Sequence, residues 1–417
     1  MSKFKPFINE IPEIEDILNS SYNLSESKYS NLPLLSLGFH SYTKQVREKM
    51  NDSQLKERLF YLVVNNFEHK INDYDNDLEN ISNKYLNTKD SIARSFYKIW
   101  EILFYFNLMP LDNKNFSSSH LGDNDGTSLQ AVIQFRNKFI SQHSKNDKYC
   151  VLANKKGKLN EVVSECIKTW KSSIFNIEAD GLNDETGNSS NLTNIKSLKD
   201  FIKNTLKESK EVDLVISSGD MGKSNEEAIY SILLSEIIAC ISLQKEGGSS
   251  IFKIFDTYTN ITLKYICILK SLYKNVYICK PLTSRNFKTE RFIVCKDFKL
   301  KKGDKLNKII NNLFELLEKQ NNAVDKGNFI SEIFTEYKIS KDFIKNITDN
   351  NLFLSNKQHL AINNIVEYKN SGNYFGDAYH KYRENQIEAN KWWVETFYPE
   401  KNEIAKKLKK ANLLSAN

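Results

Sequence analysis

Residues 247–256 read G-G-S-S-I-F-K-I-F-D, and residues 277–296 read Y-I-C-K-P-L-T-S-R-N-F-K-T-E-R-F-I-V-C-K. Two runs here, Ser250–Phe255 and Arg291–Cys295, are rich in β-branched and aromatic residues and predict buried strands. Each is marked by a charge that such a strand should lack. Lys253 sits inside the first, and Glu290 opens the second. A lone lysine in an apolar strand reads most simply as an edge strand or a side chain reaching to water. With a glutamate at the mouth of the second strand, a sharper reading stands beside it: a Lys/Glu pair in a cleft.

Upstream, the same alternation of strands and helices continues. A short strand near Ser117 runs into the turn Asp123–Ser128 and a helix start at Leu129, Val132 and Ile133. Lys148–Ala153 and Val212–Ser217 are further strands, the second ending in S-S-G-D-M-G with Asp220. In doubly wound sheets the loops after parallel strands carry the ligands, which places Asp220 well. Ser224 and Glu227 form a capping box ahead of a helical stripe from Ile229 to Ile241, with Gly247 and Gly248 expected to stop that helix. A helix at Thr259–Tyr273 and a strand at Asn275–Cys279 follow, and the last two strands, with no helix between them, predict an antiparallel hairpin. Ahead of the sheet, Ser91–Asn107 is a helix with apolar Phe96, Ile99, Trp100, Leu103 and Phe104; Asp90 or Ser91 is its expected cap, and Arg94 and Lys98 share one face. The fold class is therefore α/β, a mostly parallel Rossmann-like sheet with an antiparallel last strand. We divide the chain into a mainly helical extension (1–89), the α/β domain (90–298) and a mainly helical, lysine-rich region (299–417).

Composition narrows the function classes. The 417 residues carry 59 Lys+Arg against 52 Asp+Glu, a formal charge of +7 that permits a nucleic-acid partner without requiring one. Six scattered cysteines form no C-x-x-C and no cluster with the six histidines, which argues against a zinc site and a disulfide framework. The N-terminus lacks a signal-peptide apolar core, and the longest apolar stretch, Ala228–Leu243, is too short to span a bilayer and contains Glu236. A soluble, cytoplasmic protein with no membrane partner is expected.

Four segments together resemble the FtsJ-like ribose 2′-O-methyltransferases, especially the cap-modifying branch of large cytoplasmic DNA viruses. They are R-S-F-Y-K-I-W-E-I (94–102), D-L-V-I-S-S-G-D-M-G (213–222), G-G-S-S-I-F-K-I-F-D (247–256) and K-P-L-T-S-R-N-F-K-T-E-R-F-I-V-C-K (280–296). The resemblance implies a catalytic Lys-Asp-Lys-Glu tetrad of Lys98, Asp220, Lys253 and Glu290, with S-adenosylmethionine as methyl donor and capped RNA as substrate. An ungapped match would put Ser218 at the aspartate position; Asp220 is chosen because the role needs a carboxylate. It implies Asp123 and Gly126 in the cofactor loop and Asp184, in N-D-E-T-G-N (183–188), beside the cofactor. The loop departs from the family's E-x-P-G-G-F: the proline, the second glycine and the aromatic are missing. Arg94, Tyr258, Arg285 and Lys288 are candidates for RNA contact, with core packing as the alternative for Tyr258. Trp392 and Trp393 either form a cap-guanine pocket or anchor a helix. Two functions follow as expectations: a cap 2′-O-methyltransferase, or a weak or inactive methyltransferase fold kept as an RNA-binding or scaffold subunit of a capping or transcription complex.

Overall fold

The computed structural model describes residues 4–33, 37–51, 60–68, 77–86, 93–113, 115–140, 146–153, 159–170, 173–179, 192–219, 226–372 and 374–415. Ten strands are described: β1 (Phe7–Glu10), β2 (Leu24–Ser27), β3 (Ser117–Leu121), β4 (Lys148–Ala153), β5 (Ser173–Ala179), β6 (Val212–Ser217), β7 (Gln244–Ile254), β8 (Tyr273–Lys280), β9 (Arg291–Phe298) and β10 (Phe329–Ile333). Eight of them form one sheet in the order β1-β8-β9-β7-β6-β3-β4-β5. From β7 through β6, β3 and β4 to β5 the pairing is parallel, and β9 is antiparallel to both its neighbours. The mostly parallel sheet with an antiparallel last strand is thus present, with β9 inserted between β7 and β8.

Alternation along the strands explains how one sheet feeds two cores. Leu214, Ile216, Ile251 and Val294 pack on one face, while Val215, Phe252, Ile254 and Ile293 pack on the other. Side chains at successive strand positions point to opposite faces, so strands covered by helices on both sides read as continuous apolar runs. Helix α1 (Arg94–Tyr105) and helix α2 (Thr127–Phe139) cover the first face, and α3 (Glu226–Leu243) and α4 (Asn260–Leu272) the second. Thr259 caps α4, its side chain accepting from the Thr262 N–H. For α1 the first flanking residue is Ala93, which makes no side-chain cap; the expected caps, Asp90 and Ser91, lie outside the described residues, as does Ser224.

Two expectations need correction. Helix α3 ends at Leu243, before the glycines, and the chain enters β7 directly at Gln244. Gly247, at φ 75°, sits instead in a break in register between β6 and β7, where Val212 faces Gln244 but Leu214 faces Ser249. The glycines make a bulge, not a helix stop. The N-terminal residues, expected to be mainly helical, also add two strands. Phe7–Glu10 pairs antiparallel with Lys280–Tyr277 at the sheet edge, and β2 pairs with β10 in a separate ladder. The C-terminal region is helical, with α5 (Asp304–Asp325), α6 (Lys341–Asn370), α7 (Asp377–Phe397) and α8 (Ile404–Ser415). No helix among the described residues is long and apolar enough to cross a membrane.

Candidate active site

Strand register and one helix deliver three of the proposed residues to one place. Ser217 on β6 pairs with Phe252 on the parallel β7, so both strands end at the same edge, and Lys253 lies one residue further along. Strand β9 runs the other way, pairing Arg291 with Ile254, and therefore begins where β7 ends; Glu290 is the residue just before it. Lys98 reaches the same point from α1. Its Nζ donates to Glu290 Oε2 at 2.6 Å, and Lys253 Nζ lies 3.9 Å from Oε1 of the same carboxylate. Burial works to raise the Glu290 carboxyl, but Lys98 and Lys253 overcome it and hold it at about 2. Burial draws the Lys98 ammonium down, with the Glu290 carboxylate acting against that. Asp220 and Asp184 lie outside the described residues.

Two charged residues that the sequence reading passed over, one buried and one half-buried, support this geometry. Glu101, fully buried one helical turn beyond Lys98, accepts from the N–H groups of Leu282 and Thr283 at 2.7 and 3.0 Å, from Thr283 Oγ at 2.7 Å and from Trp393 Nε1 at 3.0 Å. It ties α1 to the loop that carries Glu290. Its signal was an acidic residue in the middle of an aromatic helix. Burial raises its carboxyl, with these hydrogen bonds acting the other way. Glu101→Ala strands several buried donors, so it should cost about 3 kcal/mol or more in urea unfolding; a loss under about 1 kcal/mol would remove it from this role. On the far side, Arg47 binds Asp256 through both terminal nitrogens at 2.7 and 2.9 Å, joining the N-terminal region to the end of β7.

Beside the Lys98–Glu290 pair opens a cleft of about 720 Å³, walled by Arg47, Tyr61, Arg94, Phe287 and Lys288. Arg94 and Arg285 both engage the buried Glu68, Arg285 at 2.8 and 3.1 Å, and Arg94 also donates to the Thr283 carbonyl at 3.0 Å. The Arg285 guanidinium lies 4.6 Å from the Tyr61 ring centroid. Lys288 is exposed at the rim, its ammonium 5.4 Å from the Phe287 ring. Tyr258 must be withdrawn as an RNA-stacking surface: it is 3% exposed, its hydroxyl 3.0 Å from Ser355 Oγ and its N–H donating to Glu226. Trp393 is likewise buried, donating to Glu101; it anchors α7.

The crevice expected to take S-adenosylmethionine lies between β3 and β6, where chain order reverses across the sheet. The turn after β3 has Gly122 at φ 70° and Gly126 at φ 67°, both left-handed, so glycine is required twice within five residues. A Cβ on Gly122 would fall 2.5 Å from the Gly219 backbone in the loop after β6. Two touching glycines thus let the loops after β3 and β6 meet backbone to backbone, with Leu192 packed against both and the Gly219 N–H donating to the buried Glu236 at 2.8 Å. Gly122 went unnoticed in the sequence because the family's paired glycines are adjacent, whereas here they stand four apart. Asp123 does not face outward. Its carboxylate accepts from Ser128 Oγ at 2.8 Å and from the Leu129 N–H at 3.0 Å, so it caps α2 and shapes the loop from within. Gly122→Ala combines a left-handed backbone with a backbone collision. It should abolish S-adenosylmethionine binding in calorimetry; retained affinity would place the donor elsewhere.

Residues 92–298 match the sequence model of the FtsJ-like methyltransferases. A cap-specific mRNA (nucleoside-2'-O-)-methyltransferase 1 from Dictyostelium discoideum is 25% identical over 192 residues, covering 44% of this chain and 24% of its own length. An inactive cap-specific mRNA (nucleoside-2'-O-)-methyltransferase 1B from Caenorhabditis briggsae is 24% identical over 191 residues, or 44% and 22% of the two chains. Among solved structures, human methyltransferase-like protein 13 in complex with SAH aligns at a TM-score of 0.26 and 14% identity, over 54% of this chain and 90% of that one. The chain spans about a quarter of the length of the curated relatives it matches. S-adenosylmethionine is the methyl donor of this domain family. Residues 92–298 are an FtsJ-like methyltransferase domain, homologous to cap-specific mRNA 2′-O-methyltransferases.

Proposed function

We propose that this protein methylates the 2′-hydroxyl of the first transcribed nucleotide of capped mRNA, with Lys98, Asp220, Lys253 and Glu290 as its catalytic residues. The observation that carries the reading is the meeting of two lysines on one carboxylate at the mouth of a cleft lined with arginines and aromatic rings. A ribose hydroxyl is a weak nucleophile at neutral pH and needs a base aimed at its proton. Lys98 donates to Glu290 at 2.6 Å, and Lys253 lies 3.9 Å from the other oxygen of the same carboxylate. On the resemblance of its strand, Lys253 is assigned as the base, Lys98 as the positive charge beside it and Glu290 as the group that orients both. Bound in the crevice beside Gly122 and Gly219, S-adenosylmethionine supplies an electrophilic methyl group on sulfur. The cleft's cationic and aromatic walls suit RNA phosphates and bases; Arg94, Arg285 and Lys288 are assigned there.

Incubation with radiolabelled S-adenosylmethionine and short RNAs, with and without a methylated guanosine cap, tests this. Label on the capped RNA is the expected result. Label on neither RNA, together with no donor binding in calorimetry, would favour the second reading, an inactive scaffold subunit. That reading draws on the loop that has lost its proline and adjacent glycine, and whose Asp123 is taken up by capping. A cytoplasmic setting, a place in the viral cap-modifying branch and contacts with other capping or transcription proteins complete the proposal.

A further inference from the structure

We infer that Lys280 is a positioning residue for this site, clamping the loop 281–290 so that Glu290 meets the two lysines. The inference rests on the reading of Lys98, Lys253 and Glu290 given above. Lys280 is the last residue of β8 and is 7% exposed. Its Nζ donates to the carbonyl of Lys288 at 2.8 Å and to that of Glu290 at 2.7 Å, and it lies 3.4 Å from Ser284 Oγ. Ser284 Oγ in turn donates to Glu290 Oε2 at 3.1 Å, the same oxygen that receives Lys98. The loop is thus gripped from both sides by opposite chemistry. Glu101 takes the N–H groups of its first half, at 282 and 283, and Lys280 takes the carbonyls of its second half, at 288 and 290.

Ten residues between two antiparallel strands would otherwise leave the Glu290 carboxylate loosely placed, and a displacement of about 1 Å can cost roughly 10² in rate. The clamp does not depend on the charge of Lys280. Burial pushes that ammonium down to about 7, but a neutral amine still has two N–H donors for the two carbonyls. Neighbouring β1 covers the edge of β8, pairing Phe7 with Lys280.

Lys280→Met keeps the length of the side chain and removes its donors. We expect kcat to fall about 10²-fold while KM for RNA and for the methyl donor change less than about threefold. Lys280→Arg should recover part of the loss, since a guanidinium still offers donors. A folded Lys280→Met protein with unchanged kcat would overturn the inference. Should that variant fail to fold, Ser284→Ala decides: kcat is expected to drop by about tenfold with thermal stability kept, and an unchanged kcat refutes the clamp. A readout independent of catalysis separates this idea from the assignment of the reaction. Trace labelling of Lys98 with acetic anhydride, followed by mass spectrometry, should run several-fold faster in Ser284→Ala and Lys280→Met than in the unsubstituted protein. Equal labelling overturns the clamp even if no RNA is ever methylated.

Discussion

Lys253→Ala should lower the rate of methyl transfer by roughly 10²–10⁴-fold, the contribution of a positioned general base, while RNA affinity stays within about threefold. The side chain lies 3.9 Å from Glu290 and 5.4 Å from the centroid of the Phe255 ring, so its removal leaves the Lys98–Glu290 pair at 2.6 Å in place. Lys253→Arg should not rescue, because a guanidinium keeps its proton throughout the accessible pH range. Single-turnover transfer and fluorescence anisotropy measure the two halves. A transfer rate within twofold of the unsubstituted protein would end the assignment of Lys253.

Glu290→Gln is expected to damage both activity and stability, and pH separates the two. The carboxyl is held at about 2 against an ordinary 4.5, so it contributes about 3 kcal/mol at neutral pH. Because the folded value is depressed, that contribution is complete above the ordinary value and fades as pH falls from about 5 towards 2. The variant also leaves the buried Lys98 ammonium facing an amide, and breaking such a pair typically costs about 3–5 kcal/mol. Urea unfolding should therefore show a gap of about 3 kcal/mol at pH 7 that narrows steadily in acid. A gap independent of pH would mean that Glu290 acts through packing and not through its charge.

The parts of the site that could be read from the sequence share a physical cause. Lys253 stood out because strand interiors tolerate almost no charge, and Glu290 because it stands at the mouth of an apolar strand, so a charge at either place carries information. The strands Lys148–Ala153 and Val212–Ser217 were legible to the residue because burial on both faces demands apolar runs such as Tyr149–Ala153 and Leu214–Ile216. The long-range contacts had no local signature. Nothing in the sequence near Glu68 announces that it will face Arg94 and Arg285, and Arg47 looks like any helical surface arginine until Asp256 is beside it. Gly126 was named from the sequence, but Gly122, at the other end of the turn after β3, was missed through reliance on adjacent glycines, whereas the backbone needs only a left-handed residue at each end. The bulge at Gly247 was missed because glycine terminates helices and kinks strands alike.

The pairing of β1 with β8 also bears on how the chain is made. Phe7–Glu10 is synthesised well ahead of its partner Tyr277–Lys280. The same holds for β2, whose partner is β10. Domains generally fold as units during synthesis, and pairing across such a separation carries a large loop-closure cost. The N-terminal segment must therefore wait as an unpaired strand while the central sheet assembles, and its docking over Lys280 becomes a late folding event. Removing it from a recombinant product would bare the edge of β8, a ready template for strand exchange between copies.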